Sequence, residues 1–599
     1  MHVVGSLQKN RSAKKANYGY FWGDGLAKAL EMGKTSATGS FHLLLGVAGS
    51  TIIMAIGTIA LGMLLPAEGV GLYGMALIPA TMINFFRDWG VNSAITKQIA
   101  SLRGANKDAE IHDIIVSGIV FEVLSGVALS LICFAIAWPL AYIISPQNAS
   151  ELSLYIGIMS ISVFAGAIAA AAGGVFVGYE RMKLNSFTQI SQAIIKTVLG
   201  PLLIVIGAGV LGAVVATMVS VLAGGVIAIV LVYYALFRPL RKCKTGKCDI
   251  KQTLRPMLRY GLPLTASTIA AGVLPQVFSF VMAIYAGTWM MGNYFTAANF
   301  AVLLTFVSIP TATALFPVFA KLDPQKEPET LKTVFAFSVK YTALLLVPAT
   351  MALITLAVPL VHTLFPMDGI FQSLFVAGAE PKFPFAPLFL ALSAVVNLFV
   401  LFGNVSLGTF LIGIGETKQL MKQSAVSLAV GLPLAYFLVS YAFSLGGANT
   451  QLSATYAVMG GLVGSLIASM PGMIWGLVWS WKKYHVRADF GVSGKIFAAA
   501  FCASLGSFVL ISFLSLPYAI VLVVGFLVFV GVYLVAAPVF GAVNRGDIEN
   551  FRTMFAGLGI VSKFLNVPLL FMHKICRRGA IEPQVSAETM SPPIDSQKP

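Results

Sequence analysis

Fourteen apolar runs, each about twenty residues or longer, recur along the chain: roughly 41–65, 69–90, 114–137, 152–177, 186–206, 209–236, 260–286, 292–319, 341–361, 385–411, 421–445, 453–480, 496–515 and 518–540. A run of ~20 such residues matches the ~30 Å hydrocarbon thickness of a bilayer. Backbone polar groups in hydrocarbon must be satisfied within the segment, so uniformly apolar runs form helices, whereas the strands of a membrane barrel alternate. The expectation is an all-α polytopic membrane protein with about fourteen transmembrane helices. Composition agrees. Of 599 residues, 58% are hydrophobic and 10% charged, where a soluble domain carries about 25% charged residues. This excludes a water-soluble enzyme, and disorder, which needs low hydrophobicity.

The formal charge of +16 would suit a nucleic-acid binder if the bases were spread over one surface. They are not. Six lie in residues 1–40, and three, two, eight, four, two and four lie in successive even-numbered connections. Seven more follow span 14, so 36 of the 39 Lys and Arg fall on one side. The odd-numbered connections hold Lys382 alone, against Glu68, Glu151, Asp368 and Glu380. By the positive-inside rule the rich side is cytoplasmic. Both termini are therefore expected in the cytoplasm, and no nucleic-acid partner is expected. About forty polar residues precede the first run, unlike a cleaved signal. Gly33-Lys34-Thr35 lacks the glycine of a phosphate loop, since Lys28 stands at that place.

These boundaries give a basic arm at 1–40, a first lobe at 41–236 with spans 1–6 and a basic linker at 237–259. A second lobe follows at 260–480 with spans 7–12, then spans 13 and 14 at 481–540 and a tail at 541–599. The eight-base connection is read as a topological anchor that also meets anionic headgroups. Gly71-Leu72-Tyr73-Gly74-Met75-Ala76 in span 2 and Gly292-Asn293-Tyr294-Phe295-Thr296-Ala297 in span 8 share a G-x-Y-x-x-A pattern. Six spans per lobe is an even number, so the two pseudo-symmetric copies run the same way across the membrane, with a central cavity between them as the expected path. In the tail, Phe551 to Phe571 reads as a partly amphipathic interfacial helix.

Apart from Lys422 at the edge of span 11, which is counted with the connection before it, the ionisable Asp, Glu, Lys and Arg residues within the spans are Arg87, Asp88, Glu122 and Lys196. Each costs about 2.5–3.5 kcal/mol at a helix centre on insertion scales, so they should face a cavity or a partner. Arg181, Asn185, Gln189, Gln192 and Lys196 recur every three or four residues, which confines them to an arc of about 80° on span 5. That stripe lines a cationic cavity or forms a polar seam with a neighbouring helix. In span 2, Asn84, Asp88 and Asn92 share a face with Arg87 at its edge. Arg87 and Asp88 either serve that cavity or sit near the cytoplasmic end, where Arg snorkels. Gln276 in span 7, on a face with Thr265, Thr268, Gly272 and Ser279, lines the path or bonds a neighbouring helix. The same two readings stand for Asn397 and Asn404 with Ser393 in span 10.

Absences narrow the chemistry. A cation-coupled exporter usually places carboxylates in its spans, and spans 1, 7, 8 and 10 contain none. A membrane-embedded glycan polymerase or transferase would need acidic or metal-binding groups on sizeable outer loops, and only the connection from His362 to Pro384 has any length. The protein is therefore read as a transporter rather than an enzyme, with no catalytic residue, metal site or cofactor. The coupling ion is left open.

Short motifs carry a family resemblance. Leu64-Leu65-Pro66-Ala67-Glu68-Gly69-Val70-Gly71-Leu72-Tyr73-Gly74 is followed by Asp88-Trp89-Gly90-Val91 and Lys97-Gln98-Ile99-Ala100. Further on come Gly178-Tyr179-Glu180-Arg181-Met182-Lys183, Tyr260-Gly261-Leu262-Pro263-Leu264 and Gly413-Ile414-Gly415-Glu416-Thr417-Lys418. Over about residues 40–540 this resembles the polysaccharide-biosynthesis membrane proteins, the Wzx-type flippases of the multidrug/oligosaccharidyl-lipid/polysaccharide exporter superfamily. The resemblance implies a MATE-like fold whose two six-helix lobes flank a V-shaped cavity and alternate between inward- and outward-open forms. It implies translocation of a polyprenyl-(pyro)phosphate-linked oligosaccharide from the inner to the outer leaflet, with Arg87 and Lys196 meeting the anionic head. Glycan-assembly enzymes are the expected partners besides bilayer and substrate. The alternative is a cation-coupled multidrug exporter of the same superfamily. Spans 13 and 14 belong either to a common fourteen-helix form or to a lipid groove as in the lipid II flippases.

Overall fold

The computed structural model describes residues 46–87, 89–104, 107–238, 249–305, 308, 315, 319–320, 322–367, 380–555 and 560–576. Asp88 and Asp368 fall outside them. Among the described residues there is no β-strand, only an isolated bridge between Pro366 and Pro381. Eleven helical stretches among the described residues are long and apolar enough to cross a bilayer, and a bent pair, Ala386–Phe402 with Asn404–Gly413 at 57°, makes twelve.

Two of the twelve are too long for one crossing. Met182–Phe237 has 56 residues and Thr268–Leu304 has 37, or roughly 84 Å and 55 Å at ~1.5 Å per residue. Each breaks at a glycine in the left-handed region, Gly207 (φ 102°) in the first and Gly287 (φ 71°) in the second. Glycine has no Cβ to strain there, and the helix kinks at each. Counting the two sides of each kink separately gives the fourteen spans expected.

The chain divides into two compact units, Met1–Met291 and Gly292–Pro599. The span expected at 260–286 lies in the first. That unit contains α1 (Gly46–Leu64), α2 (Ala67–Arg87), α3 (Val91–Gly104), α4 (Asp108–Ala135), α5 (Ala137–Ile144), α6 (Ala149–Gly178), α7 (Met182–Leu203) and α8 (Gly209–Val232). It also holds most of α9 (Ile250–Ala301), which runs into the second. Helix α3 falls where the sequence reading had only a connection. Val91, Ala94, Ile95 and Ile99 repeat with helical period and are fully buried against Ala172, Val175 and Phe176 of α6 and Met257 of α9.

The second unit contains α10 (Pro328–Thr355), α11 (Ala357–Leu364), α12 (Ala386–Val395), α13 (Asn404–Gly413), α14 (Thr417–Leu445), α15 (Thr450–Tyr484), α16 (Phe490–Phe513) and α17 (Tyr518–Val539). Two tail helices follow, α18 (Arg545–Phe555) and α19 (Ile560–Ile575), where a single amphipathic helix over 551–571 was expected. Ile548 of α18 and Leu569 and Met572 of α19 are buried in one core with residues of α10, α16 and α17. The tail is thus packed onto the bundle along one face, while Val567, Leu570 and Phe571 remain exposed on another.

Candidate functional site

The motif residues make structural contacts with one another. Gly90 (φ 77°) and Gly261 touch backbone to backbone: a Cβ on Gly90 would lie 2.3 Å from the Gly261 carbonyl oxygen. Lys97 Nζ stands 4.0 Å above the Tyr260 ring, a cation–π distance. Arg103 Nη1 donates to the Tyr179 carbonyl at 2.9 Å. In the second unit Gly413 is pressed against Phe319, and Glu416 accepts hydrogen bonds from Lys483 and, at 2.9 Å, from Tyr484. These short signatures mark the joints of the scaffold.

The polar stripe lies on α7, and its orientation follows from the glycines around it. Gly46, Gly49 and Gly57 of α1 face Ser186, Ile190 and Thr197, and Thr197 Oγ1 donates to the Ile53 carbonyl at 2.8 Å. At ~100° per residue, Asn185, Gln192 and Lys196 are turned about a third of the circumference from that contact. They face other helices of the same unit. A Cβ on Gly173 of α6 would lie 3.5 Å from Asn185 Oδ1, and one on Gly224 of α8 would lie 3.0 Å from Gln192 Oε1. Lys196 Nζ stands 6.0 Å from the centre of the Tyr73 ring of α2. The buried Tyr73 hydroxyl pairs with Thr217 Oγ1 of α8 at 2.8 Å. The stripe therefore looks into the bundle. Its middle forms a polar seam against glycines, and at Lys196 it becomes cationic.

Gln189 and Lys196 are half-buried, and no ion pair involves Lys196 among the described residues. Arg181 is exposed, and its backbone N–H donates to the Phe176 carbonyl at the start of α7. Half-buried Gln276 lies one turn beyond Gly272, which the Phe85 ring of α2 approaches so closely that a Cβ there would sit 2.1 Å from it. Asn397 and Asn404 lie in the second unit. Asn397 Nδ2 donates to the Ala394 carbonyl at 3.2 Å, and Asn404 opens α13 just past Gly403 (φ 92°).

Arg87 is not a free base. Its Nη1 lies 2.5 Å from Glu122 Oε2 of α4, and its Nε donates to Asn84 Oδ1 at 3.3 Å. The two charged side chains are 10% and 0% exposed. A buried pair is what an intramembrane arginine and carboxylate should form, yet the sequence reading left Glu122 out of the site. The available signal was that opposite charges stood in successive spans.

Residues 36–323 match the family described as polysaccharide biosynthesis protein. The match covers just under half of the chain. No protein of curated function matches the sequence. Solved structures supply the likeness of fold. The lipid II flippase MurJ in an inward closed conformation superposes with a TM-score of 0.63 at 14% identity, covering 83% of this chain and 98% of its own. An inward-facing multidrug resistance MATE family transporter of the MOP superfamily gives 0.59 at 18%, with 73% and 98% covered. A MOP superfamily transporter from Pyrococcus furiosus, described as having a binding pocket of reversed polarity, gives 0.50 at 21%, with 75% and 96% covered. The chain has an all-helical fold like those of MurJ and the MATE transporter, with eleven or twelve candidate membrane spans among the described residues.

Proposed function

We propose that this transporter moves a polyprenyl-(pyro)phosphate-linked oligosaccharide from the cytoplasmic to the outer leaflet of the plasma membrane by alternating access. The glycan head would cross within the protein while the polyprenyl tail stays in lipid. The observation that carries this reading is the stripe on α7, which faces into the first unit and ends in the half-buried cation Lys196. A cation in a low-dielectric setting attracts a phosphate far more strongly than one in water, and a lysine recognises it as a point charge. Asn185 and Gln192 supply amides on the same face.

The test is depletion of the protein in cells that make the glycan. Lipid-linked sugars should accumulate on the cytoplasmic face and be cleared by the wild-type protein but not by Lys196→Ala. If none accumulates, the reading fails. A cation-coupled multidrug exporter of the same fold is the second reading, favoured by the buried Glu122 carboxylate. It predicts efflux of organic cations that depends on sodium or pH and is independent of any lipid-linked glycan.

A further inference from the structure

Helix α19 is apolar on two opposite faces, and the bundle covers one of them. Leu569 and Met572 lie on the covered face, buried in one core with Phe529, Ala536 and Ala537 of α17. Val567, Leu570, Phe571 and Lys574 recur at spacings of three, one and three. At ~100° per residue that gathers them on the opposite side. All four are exposed, the three apolar ones at 68%, 48% and 47%. Large apolar side chains ordered into one uncovered stripe mark an interaction surface.

The contacts of the tail fix the depth of that stripe. Asp547 of α18 pairs with Lys340, and Asn550 donates to the Tyr341 hydroxyl. Lys340 and Tyr341 stand where α10 passes from its polar start into the apolar run at 341–361. At the far end of α19, Cys576 Sγ donates to the Val543 carbonyl at 3.5 Å, three residues past the apolar run that ends at 540. Val535 and Val539 are exposed in the same last turns of α17 that supply Ala536 and Ala537 to the core. The uncovered stripe is therefore level with the edge of the hydrocarbon, where an amphipathic helix lies with its apolar face in the headgroup and acyl boundary.

Charge selects the lipid. From Arg545 to Arg578 the sequence carries six Lys and Arg against Asp547 and Glu549, and Asp547 is paired with Lys340. Bases beside a membrane are drawn to the anionic lipids of the cytoplasmic leaflet. We propose that α19 docks on anionic phospholipid of the leaflet on the base-rich side of the membrane. Val567, Leu570 and Phe571 enter the acyl boundary, and Lys574 meets a headgroup phosphate. A lysine at the end of the stripe suits this, since its stem lies along apolar surface while its ammonium reaches the headgroups. The surface is independent of what the transport path carries.

The test uses the full-length protein with its native cysteines replaced by alanine and a single new one, Val567→Cys or Phe571→Cys, carrying an NBD fluorophore. Both positions are exposed, so neither variant disturbs the face packed on the bundle. Each is reconstituted in vesicles of equal parts phosphatidylcholine and phosphatidylglycerol, in which one lipid or the other bears a nitroxide on its acyl chain. Nitroxide lipid should quench both positions, and aqueous iodide should not. Quenching should favour phosphatidylglycerol by about fivefold in relative association, the worth of one base beside an anionic headgroup. Lys574→Gln should abolish that preference. Iodide access at both positions overturns the proposal, because the stripe then faces water. Protection from iodide and from both nitroxide lipids overturns it too, because a second copy of the chain then covers the stripe. Equal quenching by the two lipids, or a preference that survives Lys574→Gln, overturns the assignment to anionic phospholipid.

Discussion

Lys340 Nζ lies 2.8 Å from Asp547 Oδ2, which ties the tail helix α18 to α10 across about two hundred residues of sequence. The two side chains are 12% and 3% exposed. Asp547 is also held by its own helix end: it accepts from the Asn544 backbone N–H at 2.8 Å, and its own N–H donates to Asn544 Oδ1 at 2.8 Å. This is the reciprocal arrangement of a capping box. Tyr341 Oη donates to the same carboxylate at 3.2 Å and accepts from Asn550 at 2.9 Å. Removing one partner of such a buried pair leaves the other uncompensated, a loss of about 3–5 kcal/mol. Asp547→Ala should therefore lower the thermal transition of the purified protein and expose the tail to limited proteolysis. Tail cleavage at the wild-type rate would show that the apolar face of Leu569 and Met572 holds the tail without the ion pair.

The Arg87–Glu122 pair predicts a reversal between single and double variants. Arg87→Met strands a buried carboxylate and Glu122→Leu strands a buried guanidinium, each destabilising by about 3–5 kcal/mol. The double variant Arg87→Met/Glu122→Leu strands neither, so its folded yield should recover toward wild type. On the proposed function its transport should not recover, because the guanidinium that would meet the anionic head is gone. Size-exclusion profiles and a transport assay on the three variants separate the two effects. A double variant no more stable than the singles would mean that the pair is not what stabilises this region.

Much of this architecture is legible in the sequence, because a membrane span declares itself by length and apolarity alone. The kinks at Gly207 and Gly287 are legible for the same reason: an apolar stretch of 56 or 37 residues is too long for one crossing. The stripe from Asn185 to Lys196 is local to one helix, so its period fixes its face. What stayed hidden depends on contacts distant in sequence. Arg87 and Glu122 are 35 residues apart, with the whole of α3 between them, and spacing does not say which intramembrane base meets which acid. The packing of Leu569 and Met572 on the bundle was hidden likewise, since an amphipathic segment beside basic residues reads equally as a helix for a membrane surface.

Glu416 offers a test by pH. The hydrogen bond from Lys483 holds its carboxyl below the ordinary value of 4.5, with the Tyr484 hydroxyl and the Lys418 charge acting in the same direction. A carboxylate with a lowered folded pKa stabilises the fold fully above its unfolded value and loses that contribution as pH falls through the folded one. The window thus lies below pH 4.5. The pair is partly exposed, with Lys483 at 48% and Glu416 at 28%, so it is worth no more than about 1 kcal/mol. Glu416→Gln should be slightly less stable than wild type at neutral pH, and the two melting curves should converge as the solution is acidified. A gap that is constant across that range would exclude the ion pair as its origin.

Lys196 differs from Arg87 in a way that separates function from folding. It is half-buried beside the Tyr73 ring, and its removal strands no acid among the described residues. Lys196→Met keeps the length and apolar stem of the side chain, so its stability should stay within about 1 kcal/mol of wild type. Transport should fall at least tenfold, which corresponds to about 1.4 kcal/mol of lost interaction with the anionic head. Lys196→Arg retains the charge but carries a planar, bulkier fork, so it should recover part of the activity. The decisive measurement pairs a thermal transition with a flipping assay in proteoliposomes. Full transport by a well-folded Lys196→Met would remove this residue from the site.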